Sequence, residues 1–170
     1  RGKDYSSLAT RKALPGRNNV AHELRAVHPL GKLQPVEVAG LQAHSAEVWG
    51  AEPLFSNDAA RSLREGRLVR SETEGDTIAD GARTLALGER NWAILRAGLA
   101  GIVEVGEREI RTAVRLLSEL ANLKAEPTGA LPLGALLTTP ERFREKRVAC
   151  VVSGGNVDPA LYLELLRGPA

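Results

Sequence analysis

The sequence predicts an α/β fold with a mainly parallel sheet flanked by helices. Residues 47–51 and 148–152 are short apolar runs with the composition of buried strands. Between them lies a segment, residues 107–120, whose apolar side chains recur at helical spacing: Ile110, Ala113, Val114, Leu117 and Leu120. Strands that alternate with helices are typical of a parallel sheet, and we expect residues 148–152 to form an interior strand.

Capping residues mark the helices of the first half. Asp58 offers a carboxylate to the unpaired N–H groups of a helix over residues 58–65, and Gly66 ends that helix. Asn91 is the predicted N-cap of the next helix. Residues 20–27 are compatible with a short helix, because the prolines and glycine that would break it come only afterwards.

The second half continues the alternation of elements. Residues 102–105 are apolar enough for a strand, and residues 128–137 are rich in small residues that suit a tightly packed helix. A last helix is expected to open at Asp158 or Pro159, the residue types preferred at helix starts. The small-residue segment 77–81 predicts a loop.

The amino-acid composition and net charge argue against some classes of binding partner. Of 170 residues, 43% are hydrophobic and 26% charged, and the net charge is +2 with basic and acidic residues interspersed. We therefore expect neither nucleic acid nor a membrane as a partner. The single cysteine, Cys150, excludes an intrachain disulfide and suits a small core residue. The chain starts at Arg1 and contains no methionine, which leads us to expect part of a longer protein.

One polar motif directly follows the predicted strand 148–152. It reads Ser153-Gly154-Gly155-Asn156. Ligands of parallel sheets bind at the carboxyl ends of strands, and two glycines allow the backbone to approach a flat ligand closely. The motif is equally compatible with a plain strand-to-helix turn, so both interpretations stay open.

Four motifs in order resemble one enzyme family. They are Ala-Glu-Pro at 51–53, Thr-Ile-Ala-Asp-Gly at 77–81, Glu-Pro-Thr-Gly-Ala at 126–130 and Val-Val-Ser-Gly-Gly-Asn-Val-Asp at 151–158. Together they resemble the serine/threonine ammonia-lyases and serine racemases, which use pyridoxal 5'-phosphate (PLP). The resemblance implies part of the large domain of the tryptophan-synthase-β-like fold (fold type II). Residues 41–170 would be the C-terminal part of that catalytic domain, and residues 1–40 match it poorly.

The resemblance assigns PLP contacts to five positions. Ser153, with Gly154 beside it, would hydrogen-bond the pyridine nitrogen of PLP, and Glu126 would line the pocket near the ring. Asp80 and Gly81 would lie in the loop that closes over the cofactor. Glu126 is also compatible with a helix-capping role, and Asp80-Gly81 with a structural turn.

A divalent-cation site is implied by the same family. Glu52, the backbone carbonyl of Ser56 and Asp58 match its spacing, and oxygen ligands of this kind suit Mg²⁺ or Ca²⁺. A helix cap at Asp58 is the alternative, and the two roles are compatible.

Three family features are missing from the sequence. The lysine that binds PLP covalently is normally in a Ser-Phe-Lys-type motif, and neither Lys3 nor Lys12 has that context. The Ser-x-Gly-Asn-His loop is absent too. Where a run of glycines should cradle the PLP phosphate, residues 27–30 read Val-His-Pro-Leu, followed by the single Gly31. We therefore assign no catalytic residue to this chain and expect it to be inactive alone.

The implied activity of the intact relative is β-elimination from a hydroxy amino acid, which gives a 2-oxo acid and ammonia. Serine racemisation is the first alternative, and a non-catalytic α/β binding or interaction module is the second. The resemblance also implies a small amino-acid substrate, a homo-oligomer and a cytoplasmic location.

Overall fold

The structure, a computed structural model, describes residues 24–29 as backbone and residues 46–167 in full. The described strands are β1 Leu24–Pro29, β2 Glu47–Pro53, β3 Leu99–Val105 and β4 Arg147–Cys150. The described helices are α1 Asp58–Glu65, α2 Glu89–Gly98, α3 Glu107–Ala121, α4 Pro127–Thr138, α5 Pro140–Phe143 and α6 Pro159–Arg167, with a short 3₁₀ turn at Asp80–Ala82.

The four strands form one parallel sheet in the order β3-β2-β1-β4. Val27 of β1 is paired with Trp49 of β2 on one side and with Cys150 of β4 on the other. This confirms the predicted α/β class. Among the described strands, β1, β2 and β3 step in one direction across the sheet, whereas β4 lies on the opposite side of β1. The direction therefore reverses between β1 and β4, and parallel sheets bind ligands outside the carboxyl ends of strands at such a point.

Helix α4 is the centre of the packing. It lies against β1, β2, β3 and α3. Leu131 of α4 and Ile110 of α3 are completely buried in the same core cluster. Because α4 is built largely from small residues, it can approach the sheet closely, as its sequence predicts. Leu120, predicted on the core face of α3, is instead 77% exposed at the far end of that helix.

The helix predicted over residues 20–27 is wrong for the part that the structure describes. Residues 24–27 belong to β1, and residues 20–23 lie outside the described residues. Parallel pairing to β2 and β4 on both sides satisfies the backbone of this short segment. Tertiary pairing therefore overrides a weak local preference.

The interior strand predicted over residues 148–152 is also corrected. Strand β4 ends at Cys150, and among the described strands it lies at a sheet edge, paired with β1. Its residues alternate between exposed and half-buried, and Arg147 and Ala149 are the exposed ones. An apolar run alone does not reveal whether a second strand covers the other edge.

Helix starts differ from the capping predictions in two of three cases. Asn57 occupies the N-cap position of α1 without a side-chain cap, and Asp58 is the first helical residue. Helix α2 starts after Gly88, so Asn91 lies inside its first turn. At α6 the prediction is confirmed, since Asp158 Oδ1 accepts the N–H groups of Ala160 at 2.9 Å and Leu161 at 3.0 Å. The predicted stop at Gly66 is also confirmed by its φ of 68°.

Candidate functional site

The connection from β4 to α6 lies directly against the start of α4. The N–H of Glu126 donates to the carbonyl of Gly154 at 3.0 Å. A Cβ atom added to Gly129 would lie 2.7 Å from the same carbonyl oxygen, and one added to Gly155 would collide with the carbonyl of Lys124. Glycine is therefore required for this approach, which brings the motifs at 126–130 and 151–158 into contact.

Ser153 lies three residues beyond the end of β4, at the carboxyl edge of the sheet. Its Oγ atom is buried and has no hydrogen-bond partner among the described residues. Burial of an unpaired hydroxyl costs about 1–3 kcal/mol. An unpaired, buried hydroxyl at the edge where parallel sheets bind ligands fits a hydrogen-bonding group of a bound ligand, and so fits the role implied for it by resemblance.

The motif at 77–81 reaches the same place through Gly81. A Cβ atom on Gly81 would lie 3.0 Å from Oγ1 of Thr128. Thr128 is completely buried in the first turn of α4, and its Oγ1 also has no partner among the described residues. Three of the four motifs thus meet around the start of α4. Sequence reasoning missed Thr128 as a site residue, although it lies inside the quoted motif Glu-Pro-Thr.

Asp80 and Glu126 have different environments. Asp80 is exposed, and its Oδ1 accepts the N–H of Gly81 at 2.7 Å. This hydrogen bond is the one expected if the Asp80 carboxylate has a structural role in the turn. Glu126 is only 7% exposed. It occupies the N-cap position of α4 without a side-chain capping bond, so the helix-cap alternative is not found. A buried glutamate therefore precedes Thr128 at the start of α4, and its backbone N–H contacts the Gly154 carbonyl.

Glu52 caps α1 from the preceding strand. Its Oε1 accepts the N–H of Ala59 at 3.1 Å, and its Oε2 accepts the N–H of Ala60 at 2.8 Å. The capping role predicted for Asp58 thus belongs to Glu52. Burial raises the pKa of Glu52 to about 8, and the charges of Asp58 and Glu104 add to this rise, whereas the two amides oppose it.

Asp58 is completely buried near Glu52. Its Oδ1 accepts the hydroxyl of Thr84 at 3.3 Å, and its Oδ2 has no partner among the described residues. Burial raises the pKa of Asp58, and the hydrogen bond from Thr84 is the largest of the effects that lower it. The side chain of Ser56 donates to the carbonyl of Ala82 at 2.9 Å. A cavity of about 100 Å³ is lined by Glu52 and Thr84, among others.

Potential metal ligands are dispersed over the described part of the chain. No three His, Cys, Asp or Glu side chains gather there closely enough to hold a metal ion. The set predicted from sequence contains only two carboxylates, with a backbone carbonyl as its third oxygen. No described helix has both the length and the apolar character needed to cross a membrane.

A parallel α/β sheet whose carboxyl edge carries a buried hydroxyl, unpaired among the described residues, suits the binding of a ligand at that edge. Comparison with known proteins makes the class specific. Residues 37–154 match the model of the family described as pyridoxal-phosphate dependent enzyme, and the chain belongs to this family. The fold is part of the tryptophan-synthase-β-like PLP domain, as predicted.

Curated relatives include lyases and racemases. The chain is 39% identical over 121 residues to L-threo-3-hydroxyaspartate ammonia-lyase of Pseudomonas sp, which covers 71% of this chain and 38% of that protein. It is 35% identical over 124 residues to serine racemase of Schizosaccharomyces pombe, covering 73% of this chain and 38% of that protein. The chain therefore spans less than half the length of these relatives.

Solved structures agree with the fold. A threonine deaminase from T.th. matches with a TM-score of 0.73 and 40% identity, covering 81% of this chain and 50% of that chain. Maize serine racemase matches with a TM-score of 0.72 and 26% identity, covering 86% of this chain and 47% of that chain. The relatives thus identify PLP-dependent lyases and racemases as the enzyme class.

Proposed function

We propose that residues 41–170 form the C-terminal part of the PLP-binding domain of an ammonia-lyase. The reaction converts a hydroxy amino acid such as serine or threonine into a 2-oxo acid and ammonia. The buried Ser153 hydroxyl, unpaired among the described residues at the carboxyl end of β4, is the observation that supports this proposal most strongly. The resemblance of the whole segment to PLP-dependent lyases supplies the reaction class.

Ser153 is the residue that would hold the pyridine nitrogen. When bound, PLP supplies an electron-withdrawing ring that makes the α-proton of an amino acid removable. A serine hydroxyl is neutral, so it hydrogen-bonds the nitrogen without holding a proton on it, as a carboxylate would. Gly154 would let the backbone approach the ring, and the buried Glu126 would line the pocket near it.

Residues of the neighbouring loop would complete the pocket. Gly81 lies next to Thr128, so this loop would cover the cofactor face while the Asp80 carboxylate shapes its turn. The lyase needs a lysine that binds PLP covalently, and neither Lys3 nor Lys12 stands in a Ser-x-Lys context. The 170-residue chain is therefore inactive alone in this proposal.

Glu52, Asp58 and the carbonyl of Ser56 would hold Mg²⁺ or Ca²⁺. Oxygen donors suit these ions, and Asp58 Oδ2 is buried without a partner among the described residues. Burial raises the pKa of both carboxyl groups, and a cation between them would oppose that rise. Glu52 already accepts two backbone N–H groups, so it would share its oxygens between α1 and the ion.

The hydroxyaspartate ammonia-lyases and the threonine deaminase among the relatives favour elimination as the outcome. Serine racemisation is the second candidate, and the relatives named serine racemase favour it. A non-catalytic module is favoured by the missing lysine and by the missing run of glycines at residues 27–31. The proposal further includes a small amino-acid substrate, homo-oligomeric assembly and a cytoplasmic location.

PLP titration of the chain tests cofactor binding directly. We expect the unaltered chain to bind PLP, and Ser153→Ala to bind it about tenfold more weakly, since one hydrogen bond is lost inside a buried site. Ser118→Ala removes a half-buried hydroxyl on α3 and serves as the control. Equal affinity of Ser153→Ala and the unaltered chain would contradict the assignment.

The reaction is tested in a chimera. Residues 46–167 would replace the corresponding part of the threonine deaminase, which supplies the missing lysine. The chimera should release pyruvate from L-serine and 2-oxobutyrate from L-threonine, whereas the 170-residue chain with added PLP should release neither. Formation of D-serine without pyruvate would support the racemase, and a folded chimera that binds no PLP would support the non-catalytic module.

A further inference from the structure

Glu107 is a half-buried carboxylate at the carboxyl edge of the sheet, two residues after β3 ends. Its Oε2 accepts the N–H of Ile78 at 3.1 Å, across 29 residues of sequence. Its Oε1 is buried and has no hydrogen-bond partner among the described residues. Keeping a carboxylate oxygen buried and unpaired is costly, so the position of this side chain calls for a reason beyond packing.

The segment that Glu107 holds leads straight into the site. Ile78 lies two residues before Asp80 and three before Gly81, whose α-carbon faces Thr128 closely. The Ile78 side chain packs against both main core clusters. A shift of the Ile78 backbone would therefore pass to Gly81 rather than be absorbed by loose neighbours.

Other contacts tie the two ends of this loop, and its middle is bonded within the loop, where the N–H of Ala79 donates to Thr77 Oγ1 at 3.2 Å. Arg83 donates to the carbonyl of Thr77 at 2.9 Å, and Ser56 donates to the carbonyl of Ala82. Between these points, Glu107 supplies a hydrogen bond from the carboxyl edge of the sheet itself. Glu107 lies in the first turn of α3, where the positive end of the helix dipole attracts a carboxylate.

We propose that Glu107 is a positioning residue for cofactor binding: it fixes Ile78 so that Gly81 lies against the start of α4 and the Asp80-Gly81 loop covers the bound PLP. This inference rests on the proposed function, because Asp80 and Gly81 matter only if PLP occupies the site. The contact itself does not depend on PLP and is measurable without it.

Glu107→Asp is the most informative variant. It keeps the negative charge in the first turn of α3 but withdraws the carboxylate by roughly 1.5 Å, one C–C bond, so that it no longer reaches Ile78. Glu107→Gln keeps an acceptor oxygen at full reach and should rescue the contact. Glu109→Asp, in the same helical turn, is the matched control.

Two readouts on the 170-residue chain test the inference. In Glu107→Asp without PLP, amide hydrogen exchange at Ile78 should be about tenfold faster, whereas Glu107→Gln and Glu109→Asp should leave it unchanged. PLP affinity should fall by about three- to tenfold in Glu107→Asp alone. The melting temperature of each variant separates this effect from a general loss of stability.

The outcomes separate the two proposals. Unchanged exchange at Ile78 in Glu107→Asp would overturn the contact, and faster exchange with unchanged PLP affinity would overturn the positioning role. If the unaltered chain bound no PLP, the proposed function would fail and the positioning role with it, while the exchange data would still establish what Glu107 holds.

Discussion

Gly129→Ala tests whether the β4–α6 connection lies against α4. Alanine in a helix interior is favoured over glycine by about 1 kcal/mol, so local propensity alone predicts a more stable chain. The added Cβ would lie 2.7 Å from the Gly154 oxygen, against 3.4 Å for ordinary contact. Such overpacking costs about 1–3 kcal/mol. Weakening of the hydrogen bond from Glu126 to Gly154 adds about 1 kcal/mol.

The net expectation for Gly129→Ala is a free energy of unfolding lower by about 1–3 kcal/mol, with weaker PLP binding because the displaced loop carries Ser153. Urea denaturation followed by circular dichroism measures the first effect, and a PLP titration measures the second. Gly88→Ala is the control, since its Cβ would meet no atom within 4 Å. Stabilisation of Gly129→Ala by about 1 kcal/mol would refute the contact with Gly154.

Three further predictions concern single side chains. Ile110→Ala should lower the free energy of unfolding by about 2–5 kcal/mol because Ile110 is completely buried, whereas Leu120→Ala, at an exposed position, should lower it by less than about 0.5 kcal/mol. Equal losses of stability in urea denaturation would contradict this difference in burial. Burial raises the pKa of the Cys150 thiol from 9.0 to about 11. Alkylation by iodoacetamide at about pH 8 should therefore be about a hundredfold slower in the folded chain than in urea, because the thiolate is the reactive form. Equally rapid labelling of the folded and the unfolded chain would contradict this burial. Thr128→Val should leave the free energy of unfolding unchanged or raise it by up to about 1 kcal/mol, and it should weaken PLP binding. A PLP affinity equal to that of the unaltered chain would show that the Thr128 hydroxyl does not contribute to cofactor binding.

Local features of the fold were predictable because they depend on neighbours in sequence. The apolar spacing from Ile110 onward identified α3, and the glycine at position 66 identified the end of α1. The placement of β1 and β4 was not predictable, since it depends on which strands lie on either side. A six-residue strand such as Leu24–Pro29 has too little periodic pattern to distinguish it from a helical turn.

The candidate site shows the same division. Motif order predicted Ser153 and Glu126 as site residues, but the contact of their segments through the Gly154 carbonyl is a tertiary feature. Glu52 was missed as the cap of α1 because its carboxylate reaches the amides of Ala59 and Ala60 across the preceding loop. Capping rules consider only residues at the helix start, where they pointed to Asp58.

The central claim is that Ser153 hydrogen-bonds the pyridine nitrogen of PLP, and ¹⁵N NMR of PLP labelled at that nitrogen tests it most directly. Bound to the unaltered chain, the nitrogen should be unprotonated and hydrogen-bonded. Ser153→Ala should shift the signal by removing that bond, and Ser153→Asp should shift it to the protonated range, because a carboxylate favours the charged ring. One unchanged ¹⁵N chemical shift in all three complexes would contradict the account.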